Sequence, residues 1–282
     1  MSEHPRQKIP YPGSTGDMID QPHDEMASYE GRGLLKGKKA LITGGDSGIG
    51  RAVAIAYAKE GADVAIAYLS ETADAEHTRT KVEEAGAQCR IYPGDLADPE
   101  HCAEVVERAV ADLGGVDILV NNVAYQQVVD DFADITPQQW QRTFDVNINS
   151  FFHVTHAALK HLRPGSSIIN TGSINGLRGN KTLIDYSVTK GAVIALTYSL
   201  AQSLLDRGIR VNCVSPGPVW TPLIPATMPA DKVADFGEQV PYGRAAQPDE
   251  IAPSYVFFAS ETMSSYYSGE VLAPIGGETL PG

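Results

Sequence analysis

The chain has 282 residues, 43% of them hydrophobic and 20% charged, and its 22 basic and 35 acidic side chains leave a net charge of −13. That apolar content supports a packed core and excludes a mainly disordered or collagen-like chain. The acidity disfavours duplex nucleic acid and anionic membrane surfaces as partners, although it does not speak against one local phosphate pocket. Cys89, Cys102 and Cys213 show no CxxC or His-rich spacing, so they read as free thiols of a reducing, cytoplasmic compartment, with no metal site expected. Arg6 and Lys8 without an apolar core do not make a signal peptide, and no apolar run reaches a membrane span.

Residues 1–38 stand apart. Only about a quarter of them are hydrophobic, and Pro5, Pro10, Pro12, Pro22, Gly13, Gly16, Gly31, Gly33 and Gly37 interrupt any regular period. This N-terminal extension reads as an extended arm that lies on the body or reaches a neighbouring subunit, or else as a disordered tail. From Lys39 to residue 282 a single domain follows. Its short apolar runs, at Ala40–Thr43, Val64–Tyr68, Cys89–Tyr92, Ile118–Val120, Ser167–Asn170, Val211–Val214 and Glu270–Ala273, predict seven strands. Helical patterns fall between them at Gly48–Glu60, Thr72–Ala85, Pro99–Leu113, Pro137–His161, Tyr186–Asp206 and Pro248–Ser260. Continuous Val/Ile/Leu strands alternating with helices predict an α/β fold, a doubly wound parallel seven-stranded sheet of Rossmann type with ligands at the strands' carboxyl ends.

The first strand runs into Thr43-Gly44-Gly45-Asp46-Ser47-Gly48-Ile49-Gly50 and then a helix. Glycines at 44, 48 and 50 permit a tight turn and close approach of a pyrophosphate, which the helix N-terminus favours. About twenty residues on, the second strand ends at Tyr68-Leu69-Ser70-Glu71, where a carboxylate suits an adenosine ribose diol and a basic residue would suit a 2′-phosphate. Glu71 is acidic, and Ser47 in the loop is neutral. The pattern leans weakly to NAD over NADP. Further on, Tyr186 and Lys190 stand at i and i+4 of one helix, where an ammonium can stabilise a phenolate for proton exchange with an alcohol or carbonyl. Thirteen residues before that tyrosine, Ser173 ends a buried strand, where its hydroxyl can orient a carbonyl oxygen.

Thr43–Gly50, Asn121-Asn122-Val123-Ala124, Ser173, the Tyr186/Lys190 pair and Pro216-Gly217 together resemble the short-chain dehydrogenase/reductase family, from Lys39 to Gly277. Within it, TGGDSGIGRAVA, SVTKGAVIALT, PGPVWTPLIP and the N-terminal arm are similar to a bacterial branch of general-stress oxidoreductases and aldehyde reductases. The resemblance implies an NAD(P)-dependent oxidoreductase that interconverts an alcohol and an aldehyde or ketone. It makes Tyr186 the acid/base, Lys190 the ribose ligand that lowers the Tyr186 pKa, Ser173 the group that polarises the substrate oxygen, and Asn147 the holder of a water relay to the lysine. It assigns Gly44, Asp46, Ser47, Gly48, Ile49 and Gly50 to the pyrophosphate loop, and Tyr68, Leu69, Ser70 and Glu71 to the adenosine ribose. Asp95 and Leu96 would meet adenine. Asn121 would support the sheet beside the cofactor, Val123 and Ala124 would pack on the cofactor while departing from the family's usual Ala-Gly, and Pro216, Gly217, Val219 and Thr221 would hold the nicotinamide carboxamide. A homotetramer is implied too, with the helices at Pro137–His161 and Tyr186–Asp206 as contact faces.

A non-catalytic dinucleotide sensor would have little use for the complete Asn147, Ser173, Tyr186, Lys190 set, and the three-residue gap between Tyr186 and Lys190 argues against an enoyl reductase. A lyase or epimerase would convert substrate without net cofactor consumption. His153, His156 and His161 read as helix surface or subunit interface rather than metal ligands. The long segment holding Trp220, Leu223, Ile224 and Phe236 reads as a substrate-covering flap, with static packing as the alternative. Gln126, Asn175, Leu177 and Trp220 are expected around the substrate.

Overall fold

The computed structural model describes residues 4–279; residues 1–3 of the expected arm and 280–282 of the expected domain lie outside them. In chain order the elements are β1 (Lys39–Thr43), α1 (Gly48–Lys59), β2 (Asp63–Tyr68), α2 (Thr72–Glu84), β3 (Cys89–Pro93), α3 (Pro99–Leu113) and β4 (Ile118–Asn121). There follow α4 (Pro137–Phe144), α5 (Ser150–Ala158), β5 (Ser167–Thr171), α6 (Ile174–Arg178), α7 (Ile184–Leu204) and β6 (Arg210–Val214). The last are α8 (Leu223–Thr227), α9 (Ala230–Ala234), α10 (Pro248–Ala259), α11 (Glu261–Ser264) and β7 (Val271–Leu272).

All the strand pairs are parallel, in the order β3-β2-β1-β4-β5-β6-β7. Successive side chains of a strand point to opposite faces, and each face has its own apolar layer. Ala40 and Ile42 of β1 pack with α1 and α10, including Val53, Ile55, Tyr255 and Phe258. Leu41 between them packs with α3, α5 and the end of α7, including Val105, Val106, Val154 and Leu204. With helices covering both faces, both side-chain rows of the inner strands are buried, which is why β1 and β2 are nearly continuous in apolar residues. The chain reverses its winding between β1 and β4, and a crevice opens beyond their carboxyl ends.

The helix expected over Pro137–His161 is not one regular helix. Between α4 and α5, residues Asp145–Asn149 form a π turn, and α5 ends at Ala158. The extra residue of the π turn directs Asn147 inward, where its Oδ1 accepts the Tyr125 N–H at 2.7 Å and its Nδ2 donates to the Tyr125 carbonyl at 2.8 Å and to Thr189 Oγ1 at 3.1 Å.

The described part of the arm lies on the body. Ile9, Met18, Met26 and Leu35 are buried. Ile9 and Met18 share a small core with Trp220, Ile224, Val233 and Ala245. His4 stacks on Trp220 with ring centroids 3.7 Å apart and planes 5° from parallel, and the indole N–H donates to the Asp20 carbonyl at 2.9 Å.

Candidate active site

The turn after β1 is held from three sides. Thr43 Oγ1 accepts the N–H groups of Asn122 and Val123 at 2.9 and 3.2 Å, and Asn122 Nδ2 donates to the Gly44 carbonyl at 2.9 Å, so the ends of β1 and β4 are tied together. Gly44 takes φ +65°, and a Cβ on Gly50 would lie 1.8 Å from the Gly44 carbonyl oxygen. Only glycine lets α1 start this close to the strand. Arg51, buried at 2% exposure, grips the loop from behind: Nε and Nη2 donate to the Asp46 carbonyl at 3.0 and 2.8 Å, and Nη2 also reaches Asp74 Oδ1 at 2.8 Å.

Ser47 precedes α1 but makes no side-chain capping bond. The arm supplies one instead, as Asp24 Oδ2 accepts the Gly48 N–H at 2.9 Å while Arg51 Nη1 pairs with the same carboxylate at 3.2 Å. Burial pushes the Asp24 carboxyl up to about 6, against the pull of Arg51 and the Gly48 N–H. A carboxylate at a helix N-terminus is the expected electrostatic match.

Beyond the strand ends lies a cleft of about 940 Å³, within the range of small-molecule and cofactor sites. It is lined by Gly44, Asp46, Ser47, Gly48 and Ile49, by Tyr68, Leu69 and Glu71, by Asp95 and Leu96, by Val123 and Ala124, and by Pro216, Gly217, Val219 and Thr221. Ser173, Tyr186 and Lys190 line it as well. Four expected site residues do not. Gly50 works through packing, and Ser70 turns its hydroxyl to the Glu71 carboxylate at 3.0 and 3.1 Å. Asn121 is wholly buried, with Nδ2 donating to Thr155 Oγ1 at 3.0 Å and Asn170 Oδ1 at 2.9 Å, so it braces β4 against α5 and β5. Asn147 holds the chain leaving β4.

Ser173 leaves the end of β5 and also caps α6, its Oγ accepting the Asn175 N–H at 3.1 Å. Its hydroxyl lies close enough to the Tyr186 phenol to favour the phenolate. The first turns of α7 place Lys190 one turn behind Tyr186, wholly buried, with Nζ 5.6 Å from the tyrosine ring centroid and donating to the Thr171 carbonyl at 2.7 Å. Burial pushes the Tyr186 phenol up to about 12, with the Ser173 hydroxyl opposing, and pushes the Lys190 ammonium down to about 8. At neutral pH the lysine is therefore still charged, a cation buried beside a phenol.

Gln126 and Asn175 line the cleft as expected; Leu177 and Trp220 do not. Leu177 packs against the core of α5 and α7, and Trp220 is fully buried under the arm. Leu223, Ile224 and Phe236 of the expected flap do face the cleft. Sequence reading missed Arg142, which pairs with Asp95 at 2.6 Å, and Tyr11, Pro12 and Gly13 of the arm, which line the same cleft. The Pro/Gly content that marked the arm as irregular carried no hint of where it would lie. Phe152 and Tyr198, on α5 and α7, are exposed. Among the described residues no helix is long and apolar enough to cross a membrane, and no group of three metal-ligating side chains is assembled.

Known proteins share this sequence pattern and fold. A family model described as Enoyl-(Acyl carrier protein) reductase matches residues 44–279, and the chain belongs to the short-chain dehydrogenase/reductase family. It is 53% identical to General stress protein 39 of Bacillus subtilis, over 94% of this chain and 93% of that one. It is 45% identical to NADPH-dependent aldehyde reductase 1, chloroplastic, of Arabidopsis thaliana, over 99% of both. A crystal structure of a short chain dehydrogenase from Burkholderia cenocepacia in complex with NADP superposes with a TM-score of 0.81 at 32% identity, over 86% of this chain and 98% of that one. The protein is an NAD(P)-dependent oxidoreductase interconverting alcohols and carbonyl compounds.

Proposed function

We propose that Tyr186 is the acid/base of this reaction, Ser173 the group that orients the substrate oxygen, and Lys190 the buried cation beside Tyr186 that favours the deprotonated phenol. The observation that carries this is the convergence of Ser173, Tyr186 and Lys190 on one cleft, with the Lys190 ammonium 5.6 Å from the Tyr186 ring. In reduction Tyr186 gives its proton to the carbonyl oxygen, and in oxidation it takes the proton from the alcohol. A dinucleotide bound in the cleft supplies or accepts the hydride. The loop fits such a group: its glycines keep side chains out of the way, a Cβ on Gly48 coming 2.9 Å from Thr221, and the positive end of α1, whose Gly48 N–H alone is taken by Asp24, suits a pyrophosphate. Asp95 and Leu96 would face the adenine end, and Pro216, Gly217, Val219 and Thr221 the nicotinamide end. Asn147, by fixing the main chain of Tyr125, would shape the path through which the lysine is rehydrated.

The preferred cofactor we assign as NADPH, supported by the name of the plant relative and the NADP in the Burkholderia structure. These lean the other way from the weak NAD signal of Glu71. The acidic side chains Asp46 and Glu71 on the adenosine side then set how strongly the 2′-phosphate is held. The substrate class we assign is small aldehydes and ketones, since the Tyr186/Lys190 gap is the one expected for carbonyl rather than enoyl reduction. Cytoplasmic location rests on the three unpaired cysteines, all buried, and homotetramer formation on exposed Phe152 and Tyr198 of α5 and α7, at 54% and 44% exposure.

Tyr186→Phe tests the assignment. The variant should fold and bind NADPH as the wild type does, yet lose roughly three or more orders of magnitude in aldehyde reduction, in keeping with loss of a positioned proton donor together with its oriented oxygen. Near-wild-type turnover would overturn it.

A further inference from the structure

We propose that residues 9–15 form a strap over the dinucleotide cleft, latched by Tyr11, and that the cofactor enters and leaves only when this latch opens. The inference rests on the dinucleotide reading above and adds to it a wall that the family's shared motifs do not contain.

The strap is fixed at both ends to opposite rims of the cleft. At one end the Ile9 N–H donates to the Pro225 carbonyl at 3.2 Å, and Lys8 Nζ donates to the Met228 carbonyl at 3.3 Å. Both acceptors belong to the flap around α8. At the other end the Thr15 N–H donates to Asp74 Oδ2 of α2 at 2.9 Å, and that aspartate also holds Arg51 behind the glycine loop. Between the anchors Gly13 takes φ +103°, and a Cβ there would come 2.6 Å from the Pro222 carbonyl oxygen, so the strap lies directly on the flap. Tyr11, Pro12 and Gly13 line the same cleft as the Gly44–Ile49 loop.

Tyr11 spans to the third side. Its hydroxyl lies in the field of the Arg142 guanidinium, which pairs with Asp95 beyond β3 at 2.6 Å. Its ring meets Tyr125, beyond β4, edge-on at 5.4 Å and 83°. Flap, α2 and the β3/β4 side are thus joined through seven residues that have no helix or strand of their own apart from the single turn begun at Thr15. The anchors at Ile9 and Thr15 are backbone bonds, whereas the Tyr11 contact is made by one side chain that is 39% exposed. A side chain can swing aside on a fast timescale without unfolding the segment that carries it, so Tyr11 is the part of the strap that opens.

A latch has a kinetic signature that a simple binding contact lacks. Opening it speeds entry and exit together, whereas losing a contact speeds exit alone. The test is stopped-flow fluorescence of NADPH binding and release with the full-length wild type, Tyr11→Phe and Tyr11→Ala, alongside thermal unfolding of each. Tyr11→Phe keeps the ring and loses the hydroxyl that faces Arg142, and both rate constants should rise by up to roughly tenfold, the upper scale of one polar contact to a charge. Tyr11→Ala removes the edge-on contact as well and should raise both further, with Kd changing far less than either rate. Unchanged rates in a folded Tyr11→Ala overturn the strap, and so does a faster exit with an unaltered entry, which would make Tyr11 an ordinary contact. Wild-type protein that binds neither NADPH nor NADH would instead overturn the dinucleotide reading on which the strap depends.

Discussion

Replacing Lys190 by methionine removes the buried cation while keeping an unbranched chain of similar length in its place. The ammonium lies 5.6 Å from the Tyr186 ring centroid. At an effective dielectric of about 20, a unit charge at that distance stabilises a phenolate by ~3 kcal/mol, or ~2 units of pKa. The Ser173 hydroxyl, which also favours the phenolate, is untouched. The assay is the pH dependence of kcat/KM for alcohol oxidation at saturating oxidised cofactor, because that direction needs the deprotonated phenol. The acid limb should move about 2 units to higher pH in Lys190→Met, and at a fixed pH below the inflection the rate should fall roughly 100-fold. A shift of under about half a unit, in a variant that folds and still binds cofactor, would show that Lys190 does not act on Tyr186 through its charge. Stability offers a second readout. Burial holds the folded lysine at about 8 against an ordinary 10.5, so between those values the unfolded chain binds more protons and wild-type stability climbs with pH. The methionine variant should lack that climb.

Two further outcomes follow from the glycine loop. Gly50→Ala would put a Cβ 1.8 Å from the Gly44 carbonyl oxygen and 2.9 Å from Asn122 Nδ2; since both neighbours are held by hydrogen bonds, the start of α1 must move. Unfolding should become easier by about 2–4 kcal/mol and NADPH titration should lose most of its affinity, whereas a variant with wild-type Tm and Kd would refute the close approach. Asp46 is pushed up to about 6 by burial, with Asp74 and Glu71 adding to the push and Arg51 opposing it. Its carboxylate is therefore neutral below that value and charged above it. Between about pH 5 and 7.5 the affinity for NADPH relative to NADH should fall more steeply in the wild type than in Asp46→Asn, by roughly fivefold; identical profiles, measured by fluorescence titration, would remove Asp46 from the 2′-phosphate environment.

The motifs that were legible share a property: each is local. Thr43–Gly50 sits on one strand–turn–helix unit, and Tyr186 and Lys190 are neighbours on one turn of α7, so spacing alone dictates their geometry. Ser173 could be placed because it ends a buried strand of a parallel sheet, and all such strands deliver their carboxyl ends to one edge. Trp220 shows the converse. Its neighbours in sequence put it beside the substrate flap, but its indole is claimed by His4 and the Asp20 carbonyl, some two hundred residues earlier in the chain. Asn121 was expected to support the sheet beside the cofactor, and its amide is held by Thr155 and Asn170 inside the protein. The regular helix expected from Pro137 to His161 failed at Asn147 because two backbone groups of Tyr125 compete for that side chain and the π turn supplies the reach.

Hydrophobic period and local stereochemistry were enough to determine the layered α/β body, its parallel sheet, the glycine turn and the Tyr186/Lys190 pairing. These depend on contacts a few residues apart or on burial that every strand experiences alike. The arm was different. It holds five basic and six acidic residues, so nearly all of the net negative charge belongs to the body, and neither its charge nor its Pro/Gly pattern says where it goes. Tertiary structure alone decided that Asp24 caps α1, that Arg51 is buried between two aspartates, and that Tyr11 meets Arg142 across the cleft. A chain without regular backbone hydrogen bonds has no period to read, and it takes its conformation from the surface that satisfies its polar groups and buries Ile9, Met18, Met26 and Leu35.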